Sequence, residues 1–268
     1  MKMDSKCRVT GCGILAVVAT TLPWLALANP RPLPYSYPYE TLAAQKFEIE
    51  QYADLVPVRV ARENPDGTLS GVFSLRSVLQ TELEYGITDR LELGWYFVFQ
   101  QGASAAEPTL RFEGVKQRLR LRLAEEGEWP INVGLYLETA EFHDELEVEE
   151  KLLLSKRLGS VNLVANLWVA QEYAFQTNET ELLYNPTLGA TYEFSPHLIV
   201  GAEYWARGAF GESLADTKHY LGPTLLLQSG EVWLSAGTYF RLDRLGSNLE
   251  VDDPYGKLWV RALIGIGL

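Results

Sequence analysis

Four basic residues stand at every second position of one short segment, Lys116, Arg118, Arg120 and Arg122. Alternate residues of an extended chain point the same way, so the four make a ladder of positive charge on one face. Similar segments bring carboxylates alongside. Glu92 and Glu138 lie on the flanking segments, with Glu82, Glu84, Glu147 and Glu149 one segment further out. Side chains on paired strands approach within about 5 Å, so these groups suit two kinds of chemistry. One is an internal network of ion pairs, since an unpaired charge sealed in a narrow interior costs several kcal/mol. The other is a stripe that sorts ions along a pore. The sequence leaves both open.

A second set is aromatic. Tyr96, Tyr136, Trp168, Trp205, Trp233, Tyr239 and Trp259 share the charged side of their segments, mostly away from the ladder. They form a track for an aromatic or hydrophobic solute, or they fill space. Catalysis has no footing. His143, His197 and His219 lie in His-Asp-Glu, His-Leu-Ile and His-Tyr-Leu, with neither the His-x-Ser of a barrel deacylase nor the Asp-x-His of a barrel protease. No catalytic residue is expected. No spacing suggests a tight metal site, the acidic run Glu250-Val251-Asp252-Asp253 reads as solvated charge rather than a calcium site, and no cofactor is implied.

The elements that must carry these residues are strands. Leu258 to Leu268 alternates throughout, with Leu258, Val260, Ala262, Ile264, Ile266 and Leu268 on one face. An aliphatic face on a terminal strand would aggregate in water, whereas in a bilayer it is the lipid side of a barrel stave. Twelve such segments follow one another from Lys46. Short links such as Thr88-Asp89-Arg90, Leu158-Gly159-Ser160 and Ser195-Pro196-His197 alternate with longer polar ones, among them Pro57–Ser70, Gly102–Thr109 and Asp243–Gly256. Short periplasmic turns and long external loops are the outer-membrane pattern. Tyr85, Tyr184, Tyr192, Phe194 and Tyr204 fall at strand ends on the aliphatic face, where an interfacial girdle belongs. The expected fold is an all-β, transmembrane, antiparallel up-and-down barrel of about twelve strands.

The start of the chain reads as an export signal: Lys2, Lys6 and Arg8, an apolar stretch from Gly13 to Leu27, and the small-x-small site Ala26-Leu27-Ala28. Cleavage there removes both cysteines, Cys7 and Cys12, so no disulfide is expected. It also removes three basic residues and one acidic one, taking the net charge from −12 to −14. That balance argues against nucleic acid as a partner. Three regions follow: a cleaved signal over 1–28, an irregular Pro- and Tyr-rich periplasmic leader over 29–45, and the barrel over 46–268.

Glu84-Tyr85-Gly86-Ile87-Thr88-Asp89-Arg90-Leu91-Glu92-Leu93-Gly94 resembles a hairpin common among bacterial outer-membrane barrels, especially the transporter-like family named for the MetA pathway of phenol degradation. Tyr85 would anchor the interface, Gly86 relax the strand end and Thr88-Asp89-Arg90 turn into the next stave. The resemblance implies passage of hydrophobic or aromatic compounds. The expected function is therefore passive passage of small solutes across the outer membrane of a Gram-negative cell. Outer-membrane lipid and the barrel-assembly machinery are the expected partners. A non-conducting structural or adhesion barrel with a closed charged interior is the alternative.

Overall fold

The computed structural model describes residues 28–102, 109–243, 245–248 and 250–268. The expected signal over 1–28 falls, apart from Ala28, outside them. Strands dominate because the alternating segments can satisfy their backbone only by pairing sideways, each offering one aliphatic and one polar face. In chain order they are β1 (Phe47–Glu63), β2 (Leu69–Thr88), β3 (Leu91–Gln101), β4 (Arg111–Arg122), β5 (Asn132–Phe142), β6 (Glu145–Leu158) and β7 (Val161–Ala174). There follow β8 (Glu179–Tyr184), β9 (Thr187–Ser195), β10 (Leu198–Ala209), β11 (Lys218–Ser229), β12 (Val232–Arg241) and β13 (Leu258–Gly267).

Every neighbouring pair is antiparallel, and β13 pairs with both β12 and β1, so the sheet closes on itself. β8 and β9 are one stave. Tyr184 opposes Val169 and Thr187 opposes Asn166, so the register runs through unbroken. Pro186 sits between them and has no N–H to give the ladder. The result is a closed barrel of twelve antiparallel staves, as the alternation predicts.

The link expected over Pro57–Ser70 is mostly strand instead. β1 and β2 stay paired from Leu55–Ser77 out to Glu63–Leu69, leaving only Asn64–Thr68 as a turn. Pro57 is tolerated because β13 pairs with β1 no further than Leu55, so no partner awaits its missing N–H.

The two faces differ in character. Outward positions are mostly aliphatic or aromatic, among them Ile49, Leu83, Leu119, Leu137, Leu234 and Ile264, all exposed. Phe47 stacks beside Tyr85 at one rim with ring centroids 4.5 Å apart, Tyr192 meets Phe194 at 4.7 Å, and Tyr184 meets Phe210 at 5.1 Å at the opposite rim. Inward positions are mostly polar, charged or aromatic, with some aliphatics such as Val98, Leu226 and Leu263 packed among the rings, and nearly all are buried.

Their burial has an unexpected cause. The leader, residues 29–45, is irregular, but it does not hang outside the barrel. It enters at the rim where the chain ends, with Ala28 against Gly267, climbs to mid-barrel at Tyr35 and Ser36, and returns to the same rim at Gln45. There Gln45 N donates to Gly86 O at 2.7 Å. Four prolines leave this segment few backbone donors for a ladder, and its tyrosines and Arg31 find burial and partners only inside.

Candidate functional site in the plugged lumen

Barrel side chains receive the leader's backbone. Asn29 N donates to Glu48 at 2.7 Å, Leu42 N to Glu92 at 2.6 Å, and Tyr35 N and Ser36 N to the two oxygens of Glu203 at 3.1 and 2.5 Å. Asn166 accepts from Tyr37 N at 2.7 Å and donates to Tyr37 O at 3.0 Å, doing with its amide what a neighbouring strand would do. The Ser36 hydroxyl lies 2.7 Å from that of Thr187. Gly86 does more here than relax a strand end. A Cβ built on it would come 2.0 Å from Ala43 O, so only glycine lets the returning leader pass.

Beside the leader lies the charged lattice. Arg118 and Arg120 are almost wholly buried. Arg118 Nη2 is 2.6 Å from Glu82, 2.6 Å from Glu84 and 2.7 Å from Glu92, and Arg120 Nη2 is 2.7 Å from Glu92. Across the sheet, one row runs Glu84, Gly94, Arg118, Glu138. Gly94 opens the gap across which Arg118 reaches Glu84, and a Cβ there would meet the Arg118 Nε and a Glu82 oxygen at 2.7 Å each.

The ladder's ends behave differently. Lys116 Nζ binds Glu138 at 2.9 Å, while Arg122 turns to the rim, to Glu125 at 3.0 Å and Asp89 O at 2.8 Å. Glu147 and Glu149 do not touch the ladder. Glu149 pairs with Lys151 at 2.6 Å. Lys151 Nζ also sits 3.9 Å from the ring centroid of Tyr136, 3.8 Å from Trp168 and 4.4 Å from Tyr37, a geometry in which ring quadrupoles help hold a desolvated ammonium.

All seven expected aromatics face the lumen, in three groups. Tyr96 and Tyr136 lie within 6 Å of Arg118, and Trp168 is close by at Lys151. Trp233 closes the rim, donating to Glu48. Trp205, Tyr239 and Trp259 form a slot with Tyr220, and the leader's Tyr35 fills it. Tyr35 stacks on Trp205 at 4.6 Å and meets Tyr239 and Trp259 edge-on at 5.1 and 6.1 Å. The Arg261 guanidinium lies 3.9 Å from its ring centroid, held by two 2.6 Å bonds to Asp54.

Sequence reading missed the partners supplied by the leader, Arg31, Tyr35 and Tyr37, and the residues that grip it, Asp54, Asn166, Glu203 and Arg261. The available signal was composition. Three tyrosines at alternate positions, Tyr35, Tyr37 and Tyr39, carry large rings that gain from burial, although the prolines and the arginine around them point the other way. Among the histidines, His143 Nε2 is 4.0 Å from Asp144 on an exposed hairpin, and His219 Nδ1 is 2.7 Å from the Tyr204 hydroxyl. In the acidic run, Asp252 Oδ1 accepts from Ala61 N at 2.9 Å and Asp253 binds Arg241 at 2.5 Å, so both carboxylates serve the loop itself.

No protein-family model and no curated protein matches the chain. Solved structures do. An outer-membrane channel from Pseudomonas putida F1 aligns with a TM-score of 0.55 and 14% identity, covering 86% of this chain and 98% of that one. The NanC porin aligns with a TM-score of 0.52 and 8% identity, covering 82% and 98%. At such identities the likeness is one of fold.

Proposed function

We propose that the protein is an outer-membrane barrel that passes small hydrophobic or aromatic solutes passively, and that the leader occupies the solute's path. One observation carries this reading. The lumen is filled at mid-height by a loop of chain with an aromatic ring, Tyr35, held between Trp205 and Arg261. An interior that accommodates a peptide segment can hold a solute of similar width once that segment moves, and a slot that takes one flat ring can take another. The outward aliphatic face and the barrel fold support the outer membrane as its location, with its lipid and the barrel-assembly machinery as partners. The chemistry is binding and passage, with no catalytic step and no cofactor.

The alternative, a closed structural barrel, draws support from the lattice around Arg118, which a moving leader must leave standing. A tether separates the two. Ser36→Cys with Thr187→Cys places two thiols where two hydroxyls now lie 2.7 Å apart, within the reach of a disulfide. With the expected signal removed the chain brings no competing thiol. In planar bilayers the oxidised variant should be silent, and reduction should restore discrete openings that an aromatic solute blocks. Silence of the reduced variant and of the unmodified protein, with normal folding, would establish the closed barrel instead.

A further inference from the structure

The loop-side half of the lumen holds a concentration of negative charge that the proposed passage does not use. Five carboxylates gather there, from Glu138, Glu145, Glu147, Glu149 and Glu172. Oxygens of Glu145, Glu147 and Glu172 lie within 4.8 Å of one another, and so do those of Glu138, Glu147 and Glu149. Three of the five have cations: Glu138 has Lys116 at 2.9 Å, Glu149 has Lys151 at 2.6 Å, and Glu172 has Arg207 at 2.7 Å. Among the described residues Glu145 and Glu147 have no ion-pair contact, and the side-chain partners of Glu147 are themselves carboxyls, those of Glu149 and Glu172. Two negative charges are left over.

Glu147 belongs to both trios and is only 7% exposed. A carboxylate so enclosed, with only other carboxyls for partners, is expensive to keep charged, so its oxygens, turned toward those of four neighbours, call for a positive guest. The way in is present. A cavity of about 310 Å³, bounded by Gln80, Gln100, Glu113, Asp144 and Glu145 and by Lys116, which is paired with Glu138, adjoins the cluster at the loop-side end of the lumen.

We propose that this cluster binds a divalent cation through carboxylate oxygens, with Glu145, Glu147 and Glu172 as its ligands. Hard divalent ions such as calcium take oxygen ligands at 2.3–2.6 Å, so two ligand atoms of one ion lie at most about 5 Å apart, the spacing these oxygens already have. The charge left uncompensated equals that of one such ion. Lys116, Lys151 and Arg207 stay with their own partners and keep the site from taking a second. The ion binds whether or not the barrel conducts.

The experiment is calorimetric titration of the folded full-length barrel in detergent with calcium chloride, and separately with magnesium chloride, against potassium chloride at matched ionic strength. Calcium should give saturable binding near one ion per chain that potassium does not. Glu147→Gln and Glu145→Gln should each weaken it tenfold or more. Glu150→Gln should leave it unchanged, since Glu150 lies on the outward face, opposite Leu137 and Val169. Glu147→Gln removes an unpaired carboxylate and should fold. Should it not, Glu145→Gln at the strand end carries the test. Heat that never saturates, that potassium reproduces, or that both glutamine variants retain would overturn the site.

Discussion

Asn166 and Tyr37 are bonded twice, the amide oxygen taking the Tyr37 N–H and the amide nitrogen giving to the Tyr37 carbonyl. Asn166→Ala leaves both backbone groups buried and unmatched, a loss of about 1–3 kcal/mol. The urea midpoint of the detergent-folded barrel should fall accordingly. Asn166→Asp, which keeps only the acceptor, should fall between the two. Equal midpoints for all three proteins would mean that the leader is not anchored there.

Arg118 holds three carboxylates together, so its removal should be structural in effect. Arg118→Met leaves Glu82, Glu84 and Glu92 facing one another, and breaking a buried pair in this way costs about 3–5 kcal/mol. The ladder also reads differently from a free basic stripe, because its inner members are already neutralised. Arg118→Glu should therefore prevent refolding rather than invert ion preference. A folded Arg118→Glu barrel with reversed selectivity would restore the sorting role.

Gly94 tests the same lattice from the neighbouring stave. A methyl at that position meets Arg118 and Glu82 at 2.7 Å, and strain of this kind costs about 1–3 kcal/mol. Gly94→Ala should lower the thermal midpoint. Gly127→Ala should show nothing of this lattice effect, since a Cβ there meets no atom within 4 Å, and only the cost of its left-handed backbone, φ 84°, should remain.

Acid should loosen the long loop between β12 and β13. Burial alone would raise the Asp243 carboxyl, but the two 3.0 Å bonds from Arg241 Nε outweigh it and hold it below the ordinary aspartate value. A depressed value in the folded state means that the contribution is present above the unfolded value of about 3.9 and disappears as pH falls through the lower folded one. Protease cleavage within Leu245–Gly256 should accelerate below about pH 4. Asp243→Asn should cleave faster at neutral pH and lose that dependence.

Much of the barrel was legible because a period of two has one structural meaning. Leu258–Gly267 became β13 with its aliphatic face outward, and all seven aromatics assigned to the inner face are inside. Pairs between adjacent staves were legible too, Lys116 with Glu138 and Arg120 with Glu92. Arg118 with Glu84 was less so, since it spans an intervening stave and depends on Gly94 having no side chain. The leader was not legible in place. Its prolines break any period, and its partners Glu203, Asn166 and Glu92 lie on β10, β7 and β3, far apart in sequence. Only closure of the sheet brings those three to bear on one peptide. The extension of β1 past Pro57 was hidden because proline signals a turn unless the facing edge is empty.

The segment inside the cylinder runs directly into β1, and β1 is also one lip of the β1–β13 seam. Filling the lumen and closing the wall are thus coupled through one strand. The stopper belongs to the first stave while its grips are spread around the circumference, so it must be in position before the final zip draws shut or be threaded through the rim afterwards. With the stopper in position first, the pairing of β13 with β1 completes the wall and encloses its contents in one motion.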